Sequence, residues 1–372
     1  MYSYVLLRYN VVKSFERRIV MVKRVLKVAG VVVAAILILL IGLIGFLSIT
    51  EYKPEPVEDA SLAFMDGLSK EASVSDEFTV YTWNIGYGGL GKESDFFMDG
   101  GEMVNPPSKE AVDKNLIGIV NFMDEKDADA WLVQEVDLNS ARTDGFDEVA
   151  LLNKNAGKNG AFAYNYNCKF VPIPWPPMGK MESGIATYTD YRISEMPQRV
   201  ALPCPFSWPV SAANLKRCLL VSRVDLEGTD KKLVLVNLHL EAYDDGEGKI
   251  AQTNQLIQLL SEEYEKGNYV VAGGDFNQSF PGVLEEYPVK DAELWTPGVL
   301  ENSILPEGWR FAYDLENATC RLLDAPLSED TQLYVIDGFI VSPNIEVSSV
   351  KTVDMDFEYS DHNPVELKFT FK

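Results

Sequence analysis

One uninterrupted apolar run constrains this chain more than any other feature of its sequence. Residues 28–49, VAGVVVAAILILLIGLIGFLSI, are 22 residues without a charge. As a helix rising about 1.5 Å per residue, the run extends roughly 33 Å, enough to cross the hydrocarbon core of a bilayer. The sequence therefore predicts a transmembrane helix over residues 28–49.

Basic residues are concentrated before this run. Residues 1–49 carry seven Lys or Arg and a single acid, Glu16, and all seven basic residues precede the apolar run. Cytoplasmic flanks of membrane spans carry an excess of Lys and Arg. We therefore expect residues 1–27 to be cytoplasmic, residues 50–75 to be a tether, and residues 76–372 to form an extracytoplasmic domain of a single-pass protein of the cell membrane.

A cleaved signal peptide is the alternative to an uncleaved anchor. Its apolar region is usually shorter, and no clear small-x-small cleavage site follows the run, so the pattern favours the anchor. Met21 opens a more typical anchor sequence, MVKRVLKVAG, and is an alternative start of the chain.

The remainder of the chain is strongly acidic. The chain has 33 basic and 56 acidic residues, of which 7 basic and 1 acidic precede residue 50. Residues 50–372 therefore carry 26 basic and 55 acidic residues, a balance of −29. Binding to duplexes depends on Lys and Arg that neutralise phosphates. Long nucleic acid is therefore a poor candidate substrate. The cysteines Cys168, Cys204, Cys218 and Cys320 allow three pairings if all are oxidised, and none has a spacing suggestive of zinc.

From residue 78 onward, apolar β-rich runs alternate with a few helical segments. Apolar residues recur at helical spacing over Lys109–Glu125, and residues 250–266 are predicted to form a second helix. Several of the strand-like runs have polar residues at or near their ends: Asn84, Glu135, His239, Asp275 and Asn277 close runs, Asp337 lies within YVIDGFIV, and Asp361 and His362 precede the last run. Strand ends in α/β architectures cluster at one edge of the sheet, where ligands bind. We expect these side chains to converge.

The residue types at these strand ends suit the hydrolysis of a phosphate ester. A hard cation such as Mg²⁺ takes oxygen ligands, which Glu135 and Asn84 offer. Asp275 can orient and deprotonate a water, and Asn277 can hold a phosphoryl oxygen. A histidine can donate to the phosphate when a partner carboxylate such as Asp337 fixes its tautomer.

The order of the motifs resembles that of a known family. TWNIG, VQEVD, SGIAT, VNLHL, GGDFNQ, IDGFIVS and SDHNPV together resemble the endonuclease/exonuclease/phosphatase superfamily over residues 78–372. Its members include pancreatic-type deoxyribonuclease, apurinic endonucleases, neutral sphingomyelinases and inositol polyphosphate 5-phosphatases. The resemblance implies an α/β fold, a four-layered sandwich of two packed mixed sheets flanked by helices. It also implies Mg²⁺-dependent phosphoester hydrolysis, with Mn²⁺ as an alternative metal.

The same resemblance implies roles for individual residues. The residues implied at the metal are Glu135, Asn84 and Asp361. The residues implied in catalysis are His239, Asp275, Asn277, Asp337 and His362. VQEVDLNSAR is similar to a bacterial branch with Ser and Arg soon after the metal Glu, so Arg142 is expected either to bind phosphate or to be an ordinary surface arginine. Ser183 and Arg217 are less specific matches to phosphate- or substrate-binding residues.

Two classes of function follow. The first is a membrane-anchored phosphodiesterase or phosphatase that acts on a lipid headgroup or another small phosphoester, with an extracellular nuclease as the alternative within the same fold. The second is a non-catalytic binding domain, which would be marked by the loss of a metal or water-activating residue, and none of these is lost. The segment 170–178, FVPIPWPPM, is expected to be a packed loop rather than an apolar lip that meets lipid. The substrate, mono- versus diesterase action and the number of metals stay open.

Overall fold

The chain forms two compact units, Met1–Glu51 and Tyr52–Lys372. The computed structural model describes residues 2–63, 70–193, 195–244 and 246–372. The first unit is one helix, α1 (Tyr2–Thr50). Its segment Val12–Thr50 is long and apolar enough to cross a membrane, by length and composition. The predicted span lies within this helix.

The second unit is a mixture of helices and strands. Its helices are α2 (Lys109–Glu125), α3 (Glu148–Ala156), α4 (Glu247–Glu265) and α5 (Val283–Glu286). Its strands are β1 (Val57–Asp59), β2 (Ser61–Ala63), β3 (Phe78–Asn84), β4 (Ala130–Asp137), β5 (Asn159–Val171), β6 (Gly179–Thr189), β7 (Gln198–Ala201), β8 (Cys218–Asp225), β9 (Lys232–His239), β10 (Tyr269–Asp275), β11 (Gln278–Ser279), β12 (Gly298–Val299), β13 (Arg310–Ala312), β14 (Cys320–Arg321), β15 (Leu333–Tyr334), β16 (Asp337–Val341), β17 (Ile345–Thr352) and β18 (Val365–Phe371).

Most of the strands belong to two large mixed sheets. The first sheet has the order β1-β7-β8-β9-β10-β16-β13, and the second has the order β17-β18-β3-β4-β6-β5-β2. Within them, β9 and β10 are parallel, as are β3 and β4, and the other pairs are antiparallel. The small pairs β11–β12 and β14–β15 lie outside the two sheets.

The two sheets pack face to face, with helices on both outer faces. Leu132 of the second sheet lies in one buried cluster with Leu235 and Phe339 of the first sheet, which fills the space between the sheets. On the outside, α2 packs Leu116 against the second sheet, and α4 packs Leu256 against the first. The predicted four-layered α/β sandwich is confirmed.

A buried amide pair joins the two sheets just beneath the edge that carries the candidate site. Gln134 Nε2 of β4 donates to Asn237 Oδ1 of β9 at 2.8 Å. Asn237 Nδ2 donates in turn to the carbonyl oxygens of Val133 at 3.2 Å and Ala186 at 2.8 Å. A buried amide costs free energy unless it is hydrogen-bonded, so this arrangement holds the sheets in one relative position.

Part of the expected tether is folded. β1 pairs with β7 at one edge of the first sheet, and β2 pairs with β5 at one edge of the second. Each short strand satisfies backbone groups that an open sheet edge would leave unpaired, which explains why this polar, acid-bearing stretch takes up β structure. The tether predicted for residues 50–75 therefore differs from the structure over 57–63, and residues 64–69 lie outside the described residues.

The four cysteines are free thiols in this structure, and Cys168, Cys218 and Cys320 are buried. Burial raises the pKa of Cys218 to about 11 and that of Cys320 to about 12. Thiols this basic stay protonated at neutral pH and are poor nucleophiles. The core of the second unit is therefore held by apolar packing and hydrogen bonds rather than by disulfides.

Candidate active site

The strand ends bring the predicted site residues to one edge of the two sheets. Asp275 ends β10 in register with His239, which ends the parallel strand β9. Asp275 is also in register with Asp337, which begins the antiparallel strand β16. In the second sheet, Asn84 ends β3, and Glu135 lies near the corresponding end of the parallel strand β4.

Glu135 reaches the site through a local irregularity of β4. The pairing of β4 with β6 shifts register between Val133 and Val136. Within that shift Glu135 has φ 55°, a left-handed conformation that is uncommon for a residue with a side chain. Bulges of this kind re-aim a side chain and occur often beside active sites. Here the bulge gives Glu135 a direction that regular alternation along β4 would not.

Asn84 lies at the centre of the cluster. Its Nδ2 donates to Glu135 Oε1 at 3.2 Å and to Asp275 Oδ2 at 3.1 Å. Its Oδ1 accepts the backbone N–H of Gly86 at 3.1 Å, which fixes the orientation of the amide. Asn84 therefore acts as a hydrogen-bond donor to two carboxylates. Its predicted place at the metal would use the second lone pair of Oδ1.

The clearest ion pair of the site joins His362 and Asp337. His362 Nδ1 lies 2.8 Å from Asp337 Oδ2, and both side chains are buried. Burial lowers the pKa of His362, but the charges of Asp337, Asp361 and Asp275 outweigh it and hold the pKa well above its ordinary value. His362 is therefore protonated at neutral pH, with Nδ1 donating to Asp337 and Nε2 directed towards Asp275, 3.7 Å from Oδ2.

The pKa of His239 is shifted in the opposite direction. His239 is buried, and burial together with the positive charges of Arg217 and His362 holds its pKa well below its ordinary value. Its Nε2 lies 3.5 Å from Asp275 Oδ2. The opposite pKa shifts favour a charged His362 and a neutral His239, and the Nε2 atoms of both lie near the same oxygen, Asp275 Oδ2.

Asp275 is positioned by both sheets. Its Oδ1 accepts the backbone N–H of Asn277 at 2.8 Å, and its Oδ2 accepts from Asn84. Burial, and next the charge of Asp337, raises the pKa of Asp275 to about 6. Asn277 has φ 50° and donates from Nδ2 to Leu240 O at 2.9 Å. A carboxylate with a pKa near neutrality is suited to accept a proton from water.

Two acidic side chains face each other where the sequence predicts the metal. Burial raises the pKa of Asp361 to about 7. The charge of His362, whose Nε2 lies 3.8 Å from Asp361 Oδ2, partly opposes this shift, and repulsion from Glu135 adds to it. Among the described residues, His362 is the only basic side chain in an ion pair with either carboxylate, since Arg142 pairs with Asp137 and Arg217 with Glu241. Two oxygen donors that repel each other suit a hard divalent cation, since the cation would remove the repulsion. The residues present therefore fit Mg²⁺ or Mn²⁺, although the ion and its identity stay predictions.

A second grouping in the site is a less suitable metal centre. Ligand atoms of Asp275, Asp337 and His362 all lie within 4.8 Å of one another. Metal binding through Nε2 of His362 would require that nitrogen to be unprotonated, however, and the carboxylates around His362 raise its pKa, which opposes the loss of that proton. The position of a cation near Glu135 and Asp361 stays a prediction, as do the catalytic roles of Asp275, Asp337 and His362.

Arg142 is not an ordinary surface arginine. Its side chain is 8% exposed and forms a two-pronged ion pair with Asp137, from Nε at 3.0 Å and from Nη2 at 2.8 Å. Nη2 also donates to Ser183 Oγ at 3.3 Å, and the guanidinium carbon lies 3.3 Å from the ring centroid of Tyr87. Asp137 neutralises most of its charge, so phosphate binding by Arg142 and Ser183 stays a prediction.

Arg217 lies beneath His239 rather than in the opening of the site. Its Nε donates to Glu241 Oε2 at 3.3 Å, and its Nη1 donates to the backbone oxygen of His239 at 3.2 Å. This geometry suits the positioning of His239 and the lowering of its pKa. Contact between Arg217 and substrate, which the resemblance implies, stays a prediction.

Several residues that the sequence did not single out support the site. Ser360 Oγ donates to Asn84 O at 2.8 Å and accepts the backbone N–H of His362 at 3.2 Å. Thr319 Oγ1 accepts the backbone N–H of Asp337 at 3.1 Å, and Trp83 Nε1 donates to His362 O at 2.9 Å. Ser360 and Trp83 lie inside the motifs SDHNPV and TWNIG, next to predicted site residues, so the sequence could have indicated both. Thr319 has no such signal in the sequence.

We expect Gly274→Ala to lower both stability and activity. A Cβ at Gly274 would lie 1.9 Å from Leu238 O of the neighbouring strand, and backbone cannot move aside as a side chain can. The substitution should destabilise the second unit by about 3 kcal/mol or more and displace Asp275. Thermal unfolding followed by circular dichroism would measure this. Gly228→Ala, where a Cβ meets nothing within 4 Å, is the matched control and should cost only about 1 kcal/mol.

A model of the endonuclease/exonuclease/phosphatase family matches residues 81–362 of the chain. The match begins inside β3 and ends at His362, so it includes every residue of the predicted site and most strands of the two sheets, but not β1, β2 or β18. No curated protein matches the sequence.

Solved structures with the same fold come from several bacteria. An endonuclease/exonuclease/phosphatase from Beutenbergia cavernae DSM 12333 has a TM-score of 0.54 and 17% identity, over 79% of this chain and 72% of that one. One from Bacteroides vulgatus has a TM-score of 0.52 and 18% identity, over 80% and 100%. A family protein from Leptotrichia buccalis C-1013-b has a TM-score of 0.51 and 14% identity, over 79% and 100%. At these identities the likeness is one of fold.

Proposed function

Because the chain belongs to the endonuclease/exonuclease/phosphatase family, whose members hydrolyse phosphoesters, we propose that it is a metal-dependent phosphodiesterase or phosphatase held at the cell membrane by α1. The observation that carries the proposal is the buried His362–Asp337 pair in contact with Asp275, at the edge where Asn84 and Glu135 also lie. A packed core has no need of this concentration of charge, which is costly to bury.

Each residue of this cluster has a part in the proposed reaction. Asp275, whose pKa is raised to about 6, is largely ionised at neutral pH and takes a proton from the attacking water. Asn277 and the protonated His362 donate hydrogen bonds to phosphoryl oxygens as negative charge develops on them. Neutral His239 lies on the other side of Asp275 and contacts the phosphate or the leaving oxygen.

Glu135 and Asp361 would hold the metal, with Asn84 beside them. When bound there, Mg²⁺ or Mn²⁺ supplies positive charge that stabilises the phosphoryl oxygens of the transition state. The chain's own contribution is to keep the carboxylates in place. The bulge in β4 aims Glu135, and Asp361 Oδ1 lies 3.3 Å from Ser360 Oγ.

The charge of the chain supports a small phosphoester or a phospholipid headgroup as substrate. With a balance of −29 outside residues 1–49, the domain lacks the excess of Lys and Arg that duplex binding requires. The seven basic residues before the apolar run support an extracytoplasmic domain. An extracellular nuclease is the alternative within this fold, and a non-catalytic binding domain is the alternative outside it.

We expect the full chain in detergent micelles to hydrolyse at least one ester of a panel of phosphomonoesters, phosphodiesters and phospholipids in the presence of Mg²⁺ or Mn²⁺. EDTA should lower turnover at least about a hundredfold, and excess Mg²⁺ should restore it. Plasmid nicking together with salt-dependent DNA retention would favour the nuclease instead. Absence of turnover with every ester and with DNA would favour the binding domain.

A further inference from the structure

Two proline-rich loops expose large apolar side chains. The first loop, residues 172–178, joins β5 to β6 and carries Ile173 at 74% and Trp175 at 88% exposure. The second loop, residues 202–217, joins β7 to β8 and carries Trp208 at 61% exposure. Among the residues that the structure describes in Tyr52–Lys372, Trp175 is the most exposed large apolar side chain. The sequence favours a packed loop over 170–178, and the exposure of Trp175 contradicts that expectation.

Both loops leave the sheets at the edge that carries the site. Glu135 lies near the end of β4. The antiparallel strand β6 begins beside that end, since its Ser183 pairs with Asp137 of β4. The first loop, which precedes β6, therefore lies beyond the end of β4 that carries Glu135. Likewise β9 ends at His239, and the antiparallel strand β8 begins beside it, with Leu219 in register with Leu238. The second loop therefore also lies at the edge of the first sheet where His239 is found.

The loops fall within parts of the chain that lack acidic residues. No Asp or Glu occurs in residues 149–181 or in residues 196–224, although the chain contains 56 of them. Lys169 and Lys180 flank the first loop and both pair with Glu182, at 3.4 and 3.0 Å, and Lys216 lies near the end of the second loop. A strongly acidic domain would be repelled by the anionic lipids of a membrane surface, whereas these two stretches would not.

Chain connectivity limits how far this edge can lie from a membrane that holds α1. α1 ends at Thr50, and β1 begins at Val57. The extended chain between these residues spans at most about 25 Å. Val57 of β1 pairs with Val200 of β7. β7 ends one residue later, at Ala201, and the second loop begins there. The strand that leads into the second loop therefore pairs with a strand that begins seven residues after α1 in the sequence.

We infer that the two loops dock on the surface of the bilayer in which α1 is anchored, with Trp175 and Trp208 in the headgroup region. Tryptophan favours this region because its ring is apolar and its N–H is polar. Pro172, Pro174 and Pro176 restrict the backbone around Trp175, so little conformational freedom is lost when it inserts. Docking would present the edge with Asp275 and His362 to phosphoesters at the membrane surface. The inference rests on the proposed anchoring of α1.

Tryptophan fluorescence tests the inference directly, because all six tryptophans lie outside α1. The full chain is reconstituted into vesicles of phosphatidylcholine and phosphatidylglycerol, with either ordinary or brominated acyl chains. Bromine quenches only tryptophans that enter the membrane. Since two of the six are expected there, brominated lipid should lower the emission by up to about one third. Trp175→Ala combined with Trp208→Ala should remove this quenching.

Trp309→Phe is the matched control. Trp309 precedes β13, whose Arg310 pairs with Val341 at the end of β16 remote from Asp337. This variant should retain the quenching. Equal emission in ordinary and brominated vesicles, or quenching that persists in the double variant, would overturn the inference. The readout needs no turnover, so an active but unquenched protein would contradict docking alone, and a quenched but inactive protein would contradict the proposed function alone.

Discussion

Replacement of Glu135 by glutamine should cut Mg²⁺-dependent phosphoester turnover at least about a hundredfold. Glutamine keeps the length of the side chain and an oxygen that can accept from Asn84 Nδ2, but it removes the charge that faces Asp361. The loss should therefore fall on metal activation rather than on folding. Turnover measured against Mg²⁺ concentration should show a weakened or absent response, with an unchanged melting temperature.

Glu346→Gln is the control for this substitution. Glu346 lies on β17, is 56% exposed and pairs with Lys372, so the loss of its charge should change turnover by less than a factor of about two. Near-normal turnover by Glu135→Gln at every Mg²⁺ concentration would refute the assignment of the metal site. It would favour the grouping of Asp275, Asp337 and His362 as the metal site instead.

Local features of the fold could be predicted because their signals are local. The apolar spacing of Lys109–Glu125 predicts a helix, and α2 has those bounds, with Ser108 Oγ accepting the backbone N–H of Ala111 at its start. The second helix is predicted over 250–266 and found at Glu247–Glu265. Its start lies earlier because Gly246, at φ 101°, ends the preceding loop in a left-handed conformation without any apolar periodicity.

Other features depended on partners distant in the sequence and could not be predicted. The strands in 57–63 are too short and polar to show a strand pattern, and they form because β7 and β5 offer edges. Arg142 is five residues from Asp137, yet its burial depends on Tyr87, which comes from another element. The motifs thus predicted which residues meet, but they did not predict which groups neutralise or support them.

The direction of the Glu135 side chain could not be predicted from the sequence, although the residue itself could. Regular alternation along β4 would point Glu135 and Val133 to the same face, and Val133 is fully buried in the cluster that α2 covers. A register shift and a positive φ remove Glu135 from that pattern. The sequence contains no glycine at this position that would mark the bulge. Its presence is therefore a finding of the structure.

Replacement of Asp337 by asparagine should lower turnover by about a hundredfold to ten-thousandfold, the range expected when a positioned acid or base fails. Asp337 accepts from His362 Nδ1 at 2.8 Å and thereby fixes which nitrogen carries the proton. Asparagine has nearly the same shape, but its amide can present either a donor or an acceptor to Nδ1. Both the charge and the tautomer preference of His362 would be weakened while the packing is kept.

The pH dependence of this variant separates a loss of charge from a loss of shape. The charge of Asp337 is the largest effect that raises the pKa of His362 against the lowering by burial. Without that charge the pKa falls, so the protonated form is lost at a lower pH, and the alkaline limb of the turnover profile should move to lower pH. Asp113→Asn, in an exposed ion pair with Lys109, should leave the profile unchanged. An unshifted alkaline limb in Asp337→Asn would mean that protonated His362 is not the group whose charge the reaction requires.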